Sequence, residues 1–141
     1  MLREIGLAFS VQPIRDPMKI LVIEDDGRYL ERYQSAFQGI SEVFTAVSMR
    51  DARILLKSHP DIKVVILDGL VPLFTGETGL QKTTGLVREI ALRCPGAAVI
   101  AASSDDSINA ELLGSEATYS IHNKDESALL QIITKLNKTA G

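Results

Sequence analysis

Ile20-Leu21-Val22-Ile23-Glu24-Asp25-Asp26 and Val64-Val65-Ile66-Leu67-Asp68 are two unbroken apolar runs that each end on acid. A short apolar run with no polar alternation fits a strand covered on both faces. Strands buried in that way belong to parallel sheets with helices above and below. The carboxylates that follow the two runs then meet at one edge of the sheet. Like charges packed together cost energy unless a cation neutralises them. The pattern therefore points to a divalent-metal site built around one reactive aspartate.

Outward from these runs the chain alternates strand and helix. Lys19–Ile23 reads as a strand, and Arg28–Phe37 as a helix with Tyr29, Leu30, Tyr33, Ala36 and Phe37 at helical spacing. Gly39 stops it. Val43–Val47 reads as a strand, and Ser48 caps a helix running through Leu56 with Ala52, Ile54, Leu55 and Leu56 inward. Pro60 ends that unit, and Lys63–Leu67 is the second fully apolar strand. Gly69 to Gly79 reads as a loop, and Leu80–Arg93 as a helix with Leu86, Ile90 and Leu92 near one face. After the Pro95-Gly96 turn come strand Ala97–Ala102, helix Asp105–Gly114, strand Ala117–Ile121 and helix Ser127–Leu136. Five strand-then-helix units with right-handed crossovers give an α/β fold, a doubly wound five-stranded parallel sheet with helices on both faces. Ligands of such sheets bind beyond the carboxyl ends of the strands, where the acids lie.

Composition narrows the function. The 141 residues fit one domain, with 45% hydrophobic and 23% charged residues, an ordinary globular balance. A net charge of −3 argues against direct nucleic-acid binding, which favours basic domains. The single cysteine, Cys94, allows no internal disulfide or cysteine metal site and reads as a half-buried thiol at a helix end. No apolar run approaches the roughly 18 residues of a membrane span. Residues 1–17 lack the order of a signal peptide, so a cytoplasmic location is expected. Pro13 and Pro17 set these residues apart as a flexible extension, with the domain proper over 18–141. A sharper reading makes the extension a docking or dimer segment through Leu2, Ile5, Leu7 and Phe9, with a homodimer as one outcome.

Four features in chain order resemble the receiver domain of two-component response regulators. They are the acidic pair Glu24-Asp25 after the first strand, Asp68 ending the third, Ser103 ending the fourth and Lys124 after the fifth. Pro72 and Gly76 stand at two supporting positions after Asp68. The resemblance covers about residues 18–138 and implies the flavodoxin-like strand order 2-1-3-4-5. It implies that Asp68 accepts a phosphoryl group. Mg²⁺ would be held by Glu24, Asp25, Asp68 and the backbone carbonyl of Leu70. Ser103 and Lys124 would contact the phosphoryl oxygens. Asp26 is assigned to capping the first helix, and Asp105 and Asp106 to the N-terminus of the fourth. His122 reads as a surface residue.

The chain also departs from the family. Asp125 follows Lys124 where the family usually has a cis proline, so a trans peptide and an altered lysine loop are expected. Ile121 stands at the usual aromatic switch position, with Tyr119 on the same strand face. Leu70 is apolar beside the acceptor, which predicts a long-lived phosphorylated state.

The expected function is a stand-alone receiver, a phosphoacceptor rather than an enzyme with its own substrate. A histidine kinase or phosphotransfer protein would supply the phosphoryl group. No attached output domain fits in the chain, so output falls to an unknown downstream protein. The loops after Asp68 and Ser103 and the fourth-helix, fifth-strand and fifth-helix surface are the candidates, with Ile121, Tyr119 and Leu112 near it. The alternative is a pseudo-receiver, a protein-binding module independent of phosphorylation. An aspartate-nucleophile phosphatase is disfavoured because Leu70 replaces the second aspartate. A flavin protein is disfavoured by acid where a phosphate loop would lie.

Overall fold

The computed structural model describes residues 17–139. The expected extension, up to Asp16, lies outside the described residues. Seven strands are β1 (Met18–Ile23), β2 (Ser41–Ala46), β3 (Val64–Leu67), β4 (Leu70–Pro72), β5 (Leu80–Lys82), β6 (Ala98–Ala101) and β7 (Tyr119–Ser120). The helices are α1 (Gly27–Phe37), α2 (Met49–Ser58), α3 (Thr84–Arg93), α4 (Asp106–Gly114) and α5 (Glu126–Thr139). Five strands form a parallel sheet in the order β2-β1-β3-β6-β7, which is the expected doubly wound order once the inserted hairpin β4–β5 is set aside.

Strand alternation divides the core. Leu21, Ile23, Val65, Leu67, Val99 and Ala101 face α2, α3 and α4, where Ala52, Leu56, Leu86, Ile90 and Leu112 are buried. Ile20, Val22, Val64, Ile66 and Ile100 face α1 and α5 and pack on Tyr33, Phe37, Leu129 and Ile133. Both faces of the central strands are thus covered, which is why their sequences carry no polar alternation.

Three aspartates and one serine cap four of the five helices. Asp26 accepts from the Arg28 amide (2.9 Å) and Ser48 from the Asp51 amide (3.1 Å). Asp105 accepts from the Ser107 amide (2.9 Å), with Asp106 in the first turn of α4. Asp125 accepts from the amides of Ser127 (3.0 Å) and Ala128 (3.2 Å) and caps α5.

The segment after Asp68 corrects the sequence reading. It is an antiparallel hairpin, with Leu70 opposite Lys82 and Pro72 opposite Leu80. Leu80–Lys82 is a strand, and α3 begins only at Thr84. Gly79 and Gly85 weaken a helix there, and Thr83 fixes the return. Its amide donates to the Gly69 carbonyl (3.0 Å) and its Oγ1 to the Asp68 carbonyl (2.8 Å). Ile54 and Leu92, expected inward, are 52% and 76% exposed. Cys94 is fully buried rather than half-buried, with Sγ 3.5 Å from the His59 carbonyl.

Gly69 passes directly beneath α4, where a Cβ would overlap Ile108 Cγ2. Gly69→Ala is expected to lower stability by about 1–3 kcal/mol through overpacking. In a double-mutant cycle read by urea unfolding, the same change costs less in an Ile108→Ala background.

Candidate functional site

Register brings the site together. Ile23 pairs with Leu67, Leu67 with Ala101 and Ala101 with Ser120, so the strands end along one line. The ladder runs one residue further: the Asp68 amide donates to the Ile23 carbonyl (2.9 Å), and the Glu24 amide to the Ala46 carbonyl (3.0 Å). Backbone hydrogen bonds therefore hold Glu24 and Asp68 side by side. Glu24, Asp25 and Asp68 each offer a carboxylate oxygen, and these atoms lie within 4.8 Å of one another. Glu24 is 1% exposed and Asp68 8%, whereas Asp25 faces solvent.

Lys124 enters from the far side of the sheet. A single 3-10 turn, His122–Lys124, follows β7, and Asn123 (φ 49°) and Lys124 (φ 54°) are both left-handed. That backbone costs a side-chain-bearing residue roughly 1–2 kcal/mol, less for asparagine. It turns the buried Lys124 inward, where Nζ donates to Glu24 Oε1 and lies 3.5 Å from Asp68 Oδ2. The same ammonium sits 4.2 Å from the centre of the Tyr29 ring on α1.

One ammonium between two buried carboxylates leaves negative charge uncompensated. Burial, with the Asp68 charge added, pushes the Glu24 carboxyl up to about 8, against the opposing pull of Lys124. Burial draws Lys124 down, but the Glu24 hydrogen bond and the Asp68 charge outweigh it and leave its pKa raised. The donor set suits a hard divalent cation, being all oxygen, closely spaced and short of positive charge.

Ser103 lies just past β6. The Ala102 amide donates to the Leu67 carbonyl (2.9 Å), which sets the next residue beside the Asp68–Gly69 backbone. Ser103 is buried, and its Oγ accepts from the Asp105 amide (3.1 Å), leaving the hydroxyl proton to donate elsewhere. Leu70 is half-buried in β4, Pro72 is buried, and Gly76 (φ 92°) makes the hairpin turn.

Three residues of the site escaped the sequence reading. Asn109, buried on α4, accepts from the Ser103 amide (2.8 Å). Its Nδ2 donates to the carbonyls of Ser103 (2.9 Å) and Ile121 (3.1 Å). Thr83 clamps the Asp68 carbonyl, and Tyr29 covers the ammonium. The available signal for Asn109 was a polar residue on the inward side of a helix.

Solved structures with this architecture are numerous. The signal receiver domain of an HD domain-containing protein from Pseudomonas fluorescens Pf-5 superposes with a TM-score of 0.73 at 19% identity, covering 89% of this chain and 97% of that one. The BeF3-activated receiver domain of DrrB, a Thermotoga maritima protein, gives 0.71 at 21% identity over 86% and 98%. A CheY-like response regulator receiver domain protein from Methanospirillum hungatei JF-1 gives 0.68 at 18% identity over 89% and 100%. The fold is that of a receiver domain. No protein-family model matches the sequence, and no curated protein matches it.

Within that receiver fold the departures take a definite form. Every peptide among the described residues is trans, Asp125 included, as expected from the missing proline. Ile121 is buried, and the half-buried Tyr119 packs on the same face of the core. Leu112 was expected near an output surface; it is fully buried against the α2–α3 layer, and its neighbour Leu113 is the exposed one. His122 is on the surface and meets Asp106 (2.9 Å).

Two outcomes follow from this geometry. Glu24 holds its proton more tightly when folded, at about 8 against an ordinary 4.5, so its contribution is complete below about pH 4.5 and is lost as pH rises through about 8. In chelator-treated protein, unfolding free energy from urea titrations should fall across that window, and Glu24→Gln should flatten the fall. Asn109→Ala strands three buried backbone groups and should cost about 3 kcal/mol in the same assay.

Proposed function

We propose that this protein is a phosphoacceptor receiver in two-component signalling, with Asp68 as the acceptor. The observation that carries the reading is the grouping of Glu24, Asp25 and Asp68 around one point, with the Lys124 ammonium reaching Asp68. A phosphohistidine on a sensor kinase or phosphotransfer protein is the donor. An Asp68 carboxylate oxygen attacks phosphorus, a P–O bond forms, the P–N bond breaks, and the departing imidazole is protonated by solvent. Lys124 moves from the carboxylates onto the incoming phosphoryl oxygens, and the Ser103 hydroxyl donates to them. Glu24, Asp25, Asp68 and the Leu70 carbonyl would hold Mg²⁺, which neutralises charge on the non-bridging oxygens when bound. The acyl phosphate then adds charge beside Ser103, and Asn109 links Ser103 to Ile121 at the α4–β7–α5 face, where a downstream protein can read the change. No helix among the described residues is long and apolar enough to cross a membrane, in keeping with a cytoplasmic signalling role.

A second reading has its own support. The Lys124–Glu24 pair already partly neutralises the cluster, so a cation must compete with an internal ammonium. A chain in which Lys124 wins keeps the fold as a phosphorylation-independent binding module. Intact mass after incubation with Mg²⁺ and a small phosphodonor separates the two. A single phosphoryl adduct, absent in Asp68→Asn and in chelator, is expected; no adduct at any Mg²⁺ concentration favours the binding module. Given an adduct, Leu70→Asn should shorten its lifetime several-fold by admitting water, as followed by loss of the adduct mass.

A further inference from the structure

Away from the acidic edge, α2, α3 and the β4–β5 hairpin enclose a groove of about 360 Å³. Its apolar lining includes Ile54, Leu73 and Phe74, which are 52%, 37% and 44% exposed. These are three of the large apolar side chains left open to solvent, gathered on one concavity. Its rim is basic. Arg50, Arg53, Lys57 and Arg93 all line it, in a chain whose net charge is −3. Glu89 is the single acid in the lining, and Arg53 already holds it in a two-pronged pair (3.0 and 2.8 Å). The Arg50 guanidinium lies 5.9 Å from the centre of the Phe74 ring, within reach of a cation–π contact.

The groove is also built rather than incidental. The Arg50 amide donates to the Leu73 carbonyl (3.1 Å). Thr75 Oγ1 donates to Asp51 Oδ2 (2.8 Å) and reaches Ser48 Oγ (3.2 Å), which fastens the hairpin tip to the start of α2. Concavity and an apolar floor suit side chains projecting from a partner, and the cations suit carboxylates flanking them. A flat membrane would not fill the concavity, and a single phenyl ring, Phe74, with a guanidinium beside it is not the run of aromatic platforms that stacks successive nucleic-acid bases.

We propose that this groove docks an acidic peptide segment of another protein, anchored by apolar residues and flanked by Asp or Glu. The site is separate from the carboxylate cluster and needs no phosphorylation of Asp68. The test is a selection of displayed random peptides on the full chain, with Ile54→Glu and Arg93→Glu chains as parallel baits. Both changes replace exposed or rim side chains, and melting curves confirm that the variants fold. Peptides recovered on the unmodified chain should be enriched in Asp and Glu around a Leu or aromatic residue. A synthesised member should lose at least tenfold in affinity on each variant, by fluorescence anisotropy, and should weaken with added salt. Recovery of neutral or basic peptides, equal binding to the variants, or no enrichment would overturn the proposal. It would also fall if Ile54→Glu instead dissolved a dimer in sedimentation, or abolished binding to anionic vesicles while no peptide was selected.

Discussion

The ammonium of Lys124 between the carboxylates of Glu24 and Asp68 is the interaction on which the arrangement of the site depends. Parallel register forces the two acids together, because the strands that carry them end on the same line. Their mutual repulsion in a buried setting is a structural cost that the fold cannot avoid by moving either residue. Lys124 offsets it, and it reaches the position through a turn in which two side-chain-bearing residues are left-handed. The strain of that turn and the repulsion of the acids are thus balanced against each other at one edge of the sheet. A divalent cation or a phosphoryl group placed there would change the balance, since each would alter how much charge Lys124 must answer.

Asn109 is the second constraint. It satisfies the Ser103 amide and carbonyl and the Ile121 carbonyl, binding the ends of β6 and β7 to α4. The resemblance implied an aromatic switch residue at the place where Ile121 stands. Here Ile121 is buried and its backbone, not its side chain, is joined to Ser103 through Asn109. A displacement of the Ser103 loop would therefore reach the end of β7 through hydrogen bonds. The residue after Lys124 has also taken another task. Asp125 cannot make a cis turn as readily as proline, but it caps α5, and the left-handed pair before it supplies the change of direction.

Sequence patterning made the frame legible where burial is complete. The runs at Ile20 and Val64 fitted two-faced strands, and on that reading the acids after them fall at the carboxyl edge. Helix starts at Asp26, Ser48 and Asp105 were legible because capping is local. The hairpin was not, since three-residue strands leave no period, and of its apolar residues Leu70 is only half-buried and Leu80 is exposed. Ile54 and Leu92 misled for a different reason: helical spacing marks an apolar residue as able to face the core, not as facing it. Thr83, Asn109 and Tyr29 act through partners distant in sequence, so no local pattern could assign them.

The hairpin joins the carboxylate cluster and the groove physically. It leaves β3 at Asp68, and Thr83 returns to bond both the Asp68 and Gly69 carbonyls, so its base is anchored to the backbone of the carboxylate cluster itself. Its tip is fastened to α2 through Thr75 and through the Leu73 carbonyl. Gly69, pressed under Ile108, leaves little room for the base to shift without α4 also shifting. A segment pinned at both ends transmits displacement better than a free loop does. The groove floor, Leu73 and Phe74, and the α4 face are therefore coupled to the same short piece of backbone, and any change at Asp68 large enough to move Gly69 reaches both.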